Sequence, residues 1–452
     1  MERLNRFFSI AVDYAWGPPL IFLLIGGGLF FLVYSRFLPF FLLGHSIDIL
    51  RGKYDRPDDP GDISHFQALS TALAATIGLG NIGGVAIAIT QGGPGAVFWM
   101  WVAAVVGMAT KFFTCTLAVM YRGRDSLGQV QGGPMYYIEV GLGPKYRFLA
   151  IFFSICGMIG CLAMFQANQL AEILTASYEV SAPLTGIATV LLVAIVILGG
   201  LKRIANVASR MVPAMCLLYL MTALYIVGVH SDRVLTIFYQ IFHDAFTGTA
   251  AAGGAAGIGF LTVVQTGIKR AVFSNEAGIG TAPMAHGAAK TTEPVREGLV
   301  AMWGPLADTI IVCSLTAFII LAAADWRAAE GIQGVALTLQ AFENSLGSAG
   351  KFLLVIIVAS FGLSTMFGYS YYGKKCFSYL FGAHRSKVYD YFYLIMLYVG
   401  AVWTAGMVVN MLDTAFALMA FPNMIAALLL APRVMGAARD YLSRHGSNGS
   451  SG

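Results

Sequence analysis

Charged side chains are scarce in this sequence. Asp, Glu, Lys and Arg make up 11% of its 452 residues, less than half of the roughly 25% found in an ordinary soluble protein. Hydrophobic residues make up 58%. Apolar stretches of about 20 residues, the length that crosses a bilayer, follow one another almost from end to end. The sequence therefore excludes a soluble enzyme and predicts an all-α polytopic membrane protein.

The sequence also lacks the patterns of a metal centre or a hydrolase. Its six cysteines lie in apolar stretches or at their ends, with no Cys-x-x-Cys pair and no Cys/His cluster, so we expect them to be apolar packing residues. There is no His-x-x-x-His pattern, and Asp308 and Asp413 are isolated carboxylates. These absences disfavour an intramembrane hydrolase, which needs a nucleophile with a base, paired carboxylates or a metal cluster, and we expect no cofactor.

Apolar stretches bounded by charge, glycine and proline predict about eleven transmembrane helices. Before the first, the N-terminus lacks the basic region and cleavage site of a signal peptide. After the last, residues 435–452 are expected to form a cytoplasmic polar tail, with 446–452 disordered. The predicted segments are 18–43, 66–90, 96–120, 148–171, 183–201, 211–229, 250–289, 299–323, 352–373, 391–411 and 413–432.

Lys and Arg are distributed unevenly between the connections. Nineteen lie in the connections after the odd-numbered segments and five in those on the opposite side. Because cytoplasmic loops are enriched in basic residues, we expect the C-terminus in the cytoplasm and the N-terminus outside a cell (inner) membrane. The same asymmetry accounts for the net charge of +5, so the expected partner is the lipid bilayer and not nucleic acid.

Two of the segments are interrupted by glycine-rich, polar sequence. Residues 78–84 read GLGNIGG and residues 274–283 read SNEAGIGTAP. Each interruption lies in the first of five consecutive segments, and because five is odd, the second set has the opposite orientation. This pattern predicts a five-plus-five inverted repeat, 44–229 and 230–434, preceded by an extra helix in 1–43, as in secondary transporters.

A gap in a membrane helix is itself a candidate binding site. Unpaired backbone groups are costly in hydrocarbon, so a gap calls for a partner. Amides at the start of one half-helix attract a carboxylate, and carbonyls at the end of the other attract a cation. Two gaps therefore suit an amino-acid zwitterion with Na⁺. The alternative is that the glycines serve close helix packing.

Three motifs resemble those of the alanine or glycine:cation symporter family of prokaryotes. They are GGPGAVFWMW at 92–101, GDISHFQAL at 61–69 and FSNEAG at 273–278. The resemblance covers roughly residues 15–435 and implies a leucine-transporter-like fold and coupled uptake of alanine or glycine. It implies Na⁺ as the coupling ion, or H⁺ in some members. The absence of Asp and Glu from 66–90 favours Na⁺.

Two other classes of transport protein are alternatives to a Na⁺-coupled symporter. A channel is disfavoured because an internal inverted pair of gaps suits alternating access better than a continuous pore. A proton-coupled symporter or a uniporter of another small amino acid stays an alternative. The oligomeric state is not predicted.

The resemblance also implies a Na⁺ site. Ser364 and Thr365 are adjacent hydroxyl residues in the middle of the ninth segment, and we expect them to join the carbonyls of Ala74 and Ile77 in a five-oxygen cage. The alternative is that both hydroxyls bond to carbonyls of their own helix.

Other polar and aromatic residues are candidates for substrate binding. Asn81 is expected to bind a second cation or, with the amides of Gly83 and Gly84, the substrate carboxylate. Gln166 or Asn168 in the fourth segment is expected to contact the substrate amine, unless both serve interhelical hydrogen bonds. The remaining candidates surround the gaps, where the aromatic ones either cover the substrate or simply pack: Phe273, Ser274, Asn275, Gly278, Thr365 and Tyr369.

Charges inside the segments are expected to be structural, because unpaired charge in a bilayer is costly. Those around the second gap should pair or reach the outer vestibule: Lys269, Arg270 and Glu276. Lys111 and Asp308 should have partners elsewhere in the bundle, and His286 is expected to be structural.

Overall fold

The computed structural model describes residues 2–247, 259–327 and 334–446, which are almost entirely helical. Its first helices are α1 (Glu2–Ala15), α2 (Pro18–Tyr34), α3 (Leu38–Phe41), α4 (Leu43–Leu50), α5 (His65–Thr76), α6 (Val85–Gly92), α7 (Gly95–Met120), α8 (Pro134–Tyr136), α9 (Arg147–Gly160), α10 (Met164–Tyr178), α11 (Ala182–Ile197) and α12 (Gly200–Val229). The later helices are α13 (Val234–Thr247), α14 (Phe260–Asn275), α15 (Ala282–His286), α16 (Pro294–Ala301), α17 (Trp303–Pro305), α18 (Ser314–Ala323), α19 (Val335–Leu346), α20 (Ser348–Phe381), α21 (Ser386–Val402) and α22 (Ala405–Gly446).

Shorter elements join or interrupt these helices. π-Helical turns occur at Gly80–Gly84, Tyr137–Leu142 and Leu306–Cys313, and 3-10 turns occur at Pro144–Tyr146, Ser231–Arg233 and Ala383–Arg385. A hairpin of β1 (Gly123–Arg124) and β2 (Val130–Gln131) pairs antiparallel, with Gly123 opposite Gln131. The strands connect α7 to α8 and take no part in the helical core.

Within the described residues, seven helical runs are long and apolar enough to cross a membrane: Phe7–Tyr34, Gly95–Met120, Pro144–Tyr178, Gly200–Val229, Pro294–Ala323, Ser348–Phe381 and Ala405–Arg444. An eighth results if α5 and α6, which are bent by 52°, count as one span. The helices α11 and α21 have only 16 and 17 residues. The chain is a multi-pass membrane protein, while the count of eleven and the inverted repeat stay predictions.

The first predicted segment is too long. α2 ends at Tyr34 and not at residue 43, because Arg36 and Phe37 adopt left-handed backbone conformations with φ of 52° and 58°. Such conformations do not continue a right-handed helix. The chain then turns into α3 and α4.

The predicted boundary between the last two segments is also wrong. α21 ends at Val402, so residues 405–411 belong to α22. α22 continues through residues 435–446 and buries Ala438 and Tyr441 there, so this part of the predicted polar tail is helical, and its cytoplasmic location stays a prediction. Residues 447–452, predicted to be disordered, and residues 250–258 of the seventh segment lie outside the described residues.

The first predicted gap is present but shorter than 78–84. A capping box starts α5, in which the Gln67 amide donates to Ser64 Oγ at 3.2 Å and the Ser64 amide donates to Gln67 Oε1 at 3.0 Å. The helix ends at Thr76, and the chain rejoins α6 through the π-helical turn. Only residues 77–79 therefore lie outside helical structure.

The second gap comprises residues 276–281, since α14 continues through Asn275. Gly278 and Gly280 have φ of +88° and +104°, a region that favours glycine. A Cβ on Gly280 would lie 2.8 Å from the Phe153 ring, so close packing also requires glycine there. Because α14 packs on α6 and on the π-helical turn, the two gaps lie side by side.

Candidate substrate and sodium site

The buried carboxylate of Asp308 connects the two gaps. It lies in the π-helical turn between α17 and α18 and is fully buried. Asn81, in the π-helical turn that follows the first gap, donates its amide to Asp308 Oδ1 at 2.6 Å, and Ser274 at the end of α14 donates its hydroxyl to Oδ2 at 2.9 Å. These are the partners that Asp308 was expected to have. One side chain therefore holds the two broken helices in register.

A second layer of hydrogen bonds extends this network. Thr309 donates its hydroxyl to Asp308 Oδ2 at 2.8 Å and accepts from Asn275 Nδ2 at 3.0 Å, and Asn275 Oδ1 accepts from the Ala277 amide at 2.9 Å. The side chains of Asn275 and Ser274, predicted to bind substrate, thus bind protein groups in this conformation.

Unwinding of the first gap leaves two backbone carbonyls without their helical donors. The Gly78 amide donates to Asn81 Oδ1 at 2.8 Å and not to the Ala74 carbonyl four residues earlier. The Asn81 amide donates to the Gly78 carbonyl at 3.1 Å and not to that of Ile77. Ala74 and Ile77 are the residues whose carbonyls were predicted to bind Na⁺.

The hydroxyl of Thr365 lies against the same gap. A Cβ on Gly78 would lie 2.3 Å from Thr365 Oγ1, so only glycine admits this approach. Ser364 and Thr365 donate to the Phe361 carbonyl at 2.9 and 3.0 Å, which is the intrahelical arrangement weighed as the alternative. Each hydroxyl uses its single hydrogen in this bond, and its oxygen lone pairs stay available as ligands.

The amides of Gly83 and Gly84 are not free to bind a carboxylate. Both donate to the Leu79 carbonyl, at 2.8 and 3.2 Å, within the π-helical turn. The prediction assumed that the gap extended through these residues. Because the helix resumes at Gly80, their amides are already part of its hydrogen-bond ladder.

The fourth predicted segment contains a break that the sequence analysis missed. α9 ends at Gly160 and α10 begins at Met164. Residues 161–163 are Cys, Leu and Ala, which carry no turn signal. The available signal was the run of three amide side chains that follows at 166–169, since amides are unusual in the middle of a continuous span.

The break places Gln166 and Asn168 differently. Asn168 Nδ2 donates to the carbonyls of Gly400 and Trp403 at 3.2 and 2.7 Å, so it secures the C-terminus of α21. Gln166 is 3% exposed, and among the described residues its buried Oε1 has no hydrogen-bond partner. A buried unpaired acceptor is costly. Of the two amides, only Gln166 keeps an oxygen for a ligand.

Four aromatic rings pack together beside the gaps. Phe273 lies 5.5 Å from Phe165 and 5.7 Å from Phe416 between ring centroids, and Tyr369 lies 6.1 Å from Phe416. A Cβ on Gly80 would lie 3.4 Å from the Phe273 ring. Phe273 and Tyr369 were predicted from the sequence, whereas Phe165 and Phe416 were not, because they carry no signal beyond aromatic character.

The charges around the second gap have separate roles. Lys269 and Arg270 both bind Asp413 Oδ2, at 2.9 and 2.8 Å, so the expected pairing is confirmed for them. Glu276 does not reach the outer vestibule. It is buried, accepts a hydrogen bond from the Thr281 hydroxyl, and its Oε1 has no hydrogen-bond partner among the described residues.

Gly278 is held in place from α22. Its carbonyl accepts a hydrogen bond from Asn423 Nδ2 at 2.7 Å, and Asn423 Oδ1 in turn accepts from the Tyr137 hydroxyl. A Cβ on Gly278 would lie 2.5 Å from the Leu24 side chain. Gly278, predicted as a substrate contact, is thus closely packed.

Comparison with known proteins assigns the chain to a family. The sequence profile of the sodium:alanine symporter family matches residues 1–451. The chain belongs to this family. The sodium/alanine symporter AgcS of Methanococcus maripaludis is 39% identical to this chain over 438 residues, which cover 95% of each chain. The protein is therefore a transporter and not an enzyme.

Solved structures confirm the leucine-transporter-like fold. A manganese transporter of Eremococcus coleocola superimposes on this chain with a TM-score of 0.57 at 14% identity, covering 82% of both chains. MhsT in complex with L-phenylalanine gives a TM-score of 0.53 at 13% identity, covering 84% of this chain and 99% of MhsT. At such identities the likeness concerns the fold alone.

Proposed function

We propose that this symporter imports alanine or glycine together with Na⁺ by alternating access across the inner membrane, with its N-terminus outside and its C-terminus in the cytoplasm. The observation that carries the proposal is the first gap. There the carbonyls of Ala74 and Ile77 lack helical donors, and the Thr365 hydroxyl lies against Gly78. Na⁺ is a hard cation, and hard cations prefer oxygen ligands of this kind.

The proposed Na⁺ cage joins the first gap to α20. Its oxygens are the carbonyls of Ala74 and Ile77 and the hydroxyls of Ser364 and Thr365. A fifth candidate is the Phe361 carbonyl, which lies 3.8 Å from the position of a Cβ on Gly78 and which sequence reasoning did not identify. Because α20 is a continuous helix and α5 ends at the gap, a cation here would bind the broken helix to the unbroken one.

The proposed substrate site lies between the gaps and α10. Gln166 Oε1 would accept from the substrate amine, and the rings of Phe165, Phe273, Phe416 and Tyr369 would enclose the side chain. An enclosure of aromatic rings suits an apolar side chain, and the similarity to the sodium/alanine symporter AgcS supports alanine or glycine as the substrate. A buried oxygen without a donor gains a partner when the ammonium group binds.

Substituting alanine for Gln166 should raise the substrate concentration for half-maximal uptake by roughly 10- to 100-fold. A hydrogen bond to a charged group contributes about 1.5–3 kcal/mol, and each 1.4 kcal/mol is tenfold. Asn168→Ala is the matched comparison, because its partners are protein carbonyls. It should lower the melting temperature and leave substrate affinity nearly unchanged in detergent. Equal effects of both substitutions on substrate affinity would contradict the assignment.

Coupling follows from shared binding groups. If Na⁺ and substrate both complete the unwound backbone, each stabilises the arrangement that the other binds, and the coupling is reciprocal. A membrane potential that is negative inside adds about 2.3 kcal/mol per charge per 100 mV to inward Na⁺ movement. Substrate accumulation would then draw on both the concentration gradient and the potential.

Proton coupling is a second candidate, supported by two buried carboxylates. Residues 66–90 contain no acidic residue, yet the fold brings Asp308 against Asn81 and places the buried Glu276 carboxylate in the second gap, beside the hydroxyls of Thr281 and Tyr369. Either carboxylate would be a proton carrier. The resting Asp308 network is fully hydrogen-bonded, so Glu276 is the stronger candidate.

Uptake of radiolabelled alanine into proteoliposomes tests the proposed function. The purified protein would be given an inward Na⁺ gradient, a K⁺ control or a proton gradient. Accumulation above equilibrium with Na⁺ alone is expected. Accumulation with a proton gradient alone would show that the proton is the coupling ion, which would contradict the Na⁺ cage and favour Glu276 as the proton carrier. Equilibration without accumulation would indicate a uniporter, and no alanine movement would contradict the proposed substrate.

A further inference from the structure

A buried cluster of two histidines and one glutamate lies at the opposite end of the gap helices from the Lys269, Arg270 and Asp413 cluster. His65 Nδ1 bonds to Glu297 Oε1, and His286 Nδ1 lies 2.6 Å from Glu297 Oε2. The histidines are 1% exposed and Glu297 is fully buried. Each carboxylate oxygen therefore holds one imidazole.

The two histidines belong to the two broken helices. His65 is the first residue of α5, which leads to the first gap, and His286 is the last residue of α15, which leaves the second gap. Glu297 lies on α16, which packs against the unbroken α7. A single carboxylate thus fastens both half-helices to the surrounding bundle.

Backbone bonds continue this attachment outside the helices. The Asp62 amide donates to the Ala288 carbonyl at 2.8 Å, and the Lys290 amide donates to the Ile63 carbonyl at 2.7 Å. Arg122 donates to the carbonyls of Gly287 and Thr291 at 2.9 and 2.8 Å. Segments 60–63 and 286–291 are consequently joined to each other, and these bonds would have to break together with those of the cluster if the segments separate.

The surroundings of His65 favour its protonated form. Glu297 lies on its Nδ1, and Asp55 Oδ1 lies 3.7 Å from its Nε2. Among the described residues, Nε2 has no hydrogen-bond partner. A neutral imidazole with its hydrogen on Nδ1 would direct the Nε2 lone pair at a carboxylate. An imidazolium instead presents an N–H to each carboxylate.

Other ionisable groups face the cluster from the neighbouring elements. They are Arg296 beside Glu297 on α16, Cys115 on α7 and Arg122 just after α7. Arg296 donates to the Tyr54 carbonyl at 3.2 Å, and Arg122 is occupied by backbone carbonyls. Both arginines are therefore engaged with carbonyls, and the histidines are the groups bonded directly to Glu297.

We propose that His65, Glu297 and His286 form a proton-binding latch that holds the inner ends of both broken helices together and opens when His65 loses its proton. The proposal rests on the proposed alternating-access function, in which these ends separate to release substrate into the cytoplasm. Its ligand is the proton, and histidine titrates in the physiological range.

The sign of the pH dependence follows from the charges. Protonated His65 lies between two carboxylates and stabilises the closed latch. Loss of that proton leaves a neutral ring against two carboxylates and weakens the latch. Opening should therefore become easier as cytoplasmic pH rises, by up to about tenfold per pH unit, the limit for release of one proton.

Hydrogen exchange of the purified full-length protein tests the latch without any transport assay. Exchange in segments 60–66 and 284–291 would be measured at pH 6 and pH 8. Expressing it as protection factors, the intrinsic exchange rate divided by the observed rate at the same pH, removes the intrinsic pH dependence of exchange. In the wild type, protection should fall severalfold at pH 8. In His65→Gln, whose amide can bond to Glu297 but cannot carry a charge, protection should be low at both pH values.

Two further variants test the role of Asp55 and provide a control for the loss of a histidine. Asp55→Asn removes the partly exposed carboxylate and leaves the buried bonds intact, so the transition should shift to lower pH. His384→Gln removes an exposed histidine elsewhere and should behave as the wild type. Wild-type protection that does not change with pH, or a pH dependence that persists in His65→Gln, would overturn the proposal.

Uptake measurements at different internal pH test whether the latch controls substrate release. Proteoliposomes with fixed external pH and an internal pH of 6 to 8 should show uptake that rises with internal pH in the wild type and in His384→Gln, but not in His65→Gln. If the wild type moves no alanine while the exchange results hold, the proposed function fails and the latch stands. If uptake occurs without these pH effects, the latch fails and the function stands.

Discussion

Asp308→Ala should reduce amino-acid uptake by on the order of 100-fold or more, the effect expected when reacting or binding groups are displaced by about 1 Å. The carboxylate accepts from Asn81 at 2.6 Å and Ser274 at 2.9 Å, one residue from each broken helix. Without it, these two buried donors and the Thr309 hydroxyl lose their acceptor, at about 1–3 kcal/mol each. The broken helices then lose their common anchor.

Asp308→Asn separates geometry from charge in this prediction. Asparagine keeps the shape and one acceptor oxygen, and hydroxyl groups such as that of Ser274 can rotate to accept a hydrogen bond. If Asp308 acts only as an anchor, this variant should retain substantial uptake. If uptake is lost although the protein folds, the carboxylate charge is required. Asp232→Ala, at an exposed turn, is the control for the loss of a carboxylate.

The measurements are initial rates of alanine uptake and melting temperatures of the purified variants. A normal uptake rate for Asp308→Ala would show that the two gaps do not depend on this side chain, and it would remove the central connection of the site. A lowered melting temperature with normal uptake per folded molecule would restrict Asp308 to stability.

Thr365→Ala should raise the Na⁺ concentration for half-maximal uptake by roughly 10- to 100-fold. Loss of one ligand to a cation removes about 1.5–3 kcal/mol, by comparison with hydrogen bonds to charged groups. The hydroxyl oxygen lies within 2.3 Å of the position of a Cβ on Gly78, directly at the gap. Alanine keeps the helix and removes only the oxygen and a methyl group.

Two variants of the same helix control this prediction. Thr365→Ser retains the oxygen and should restore Na⁺ dependence close to that of the wild type. Ser370→Ala removes a hydroxyl that donates to the Phe367 carbonyl at 2.7 Å, away from the proposed cage, and should leave Na⁺ dependence unchanged. Uptake as a function of Na⁺ at saturating alanine is the measurement. An unchanged Na⁺ dependence in Thr365→Ala would remove Thr365 from the cage.

Much of the fold could be predicted because the bilayer restricts the backbone structures that a membrane-spanning segment can adopt. Long apolar segments must become helices, and glycine-rich polar sequence inside them must be a gap. The predicted gaps at 78–84 and 274–283 were found at 77–79 and 276–281. Their ends were misplaced because glycine permits a π-helical turn as readily as an unwound loop, and the sequence does not distinguish the two.

The partners of buried polar residues could not be predicted in the same way. Asp308 meets Asn81, which is 227 positions away along the chain, and His65 meets Glu297, which is 232 positions away. Spacing along a chain predicts which residues share a helix face, but it does not predict which distant faces meet. For this reason the sequence made Asn168 and Gln166 equally good candidates for the substrate amine. The packing of α10 against α21 distinguishes them, because it pairs the Asn168 amide with α21 carbonyls and leaves Gln166 Oε1 unpaired.

By itself the sequence determined that this protein is a helical membrane transporter with two broken helices, because composition and glycine placement act locally on each segment. The tertiary structure decided which oxygen atoms are already bonded and which stay free for a ligand. It joined Asp308 to both gaps, directed the Asn168 amide to α21 and left Gln166 Oε1 unpaired. That difference arises because hydrogen-bond partners are set by the distance between helices, which is a property of the packed bundle and not of any one segment.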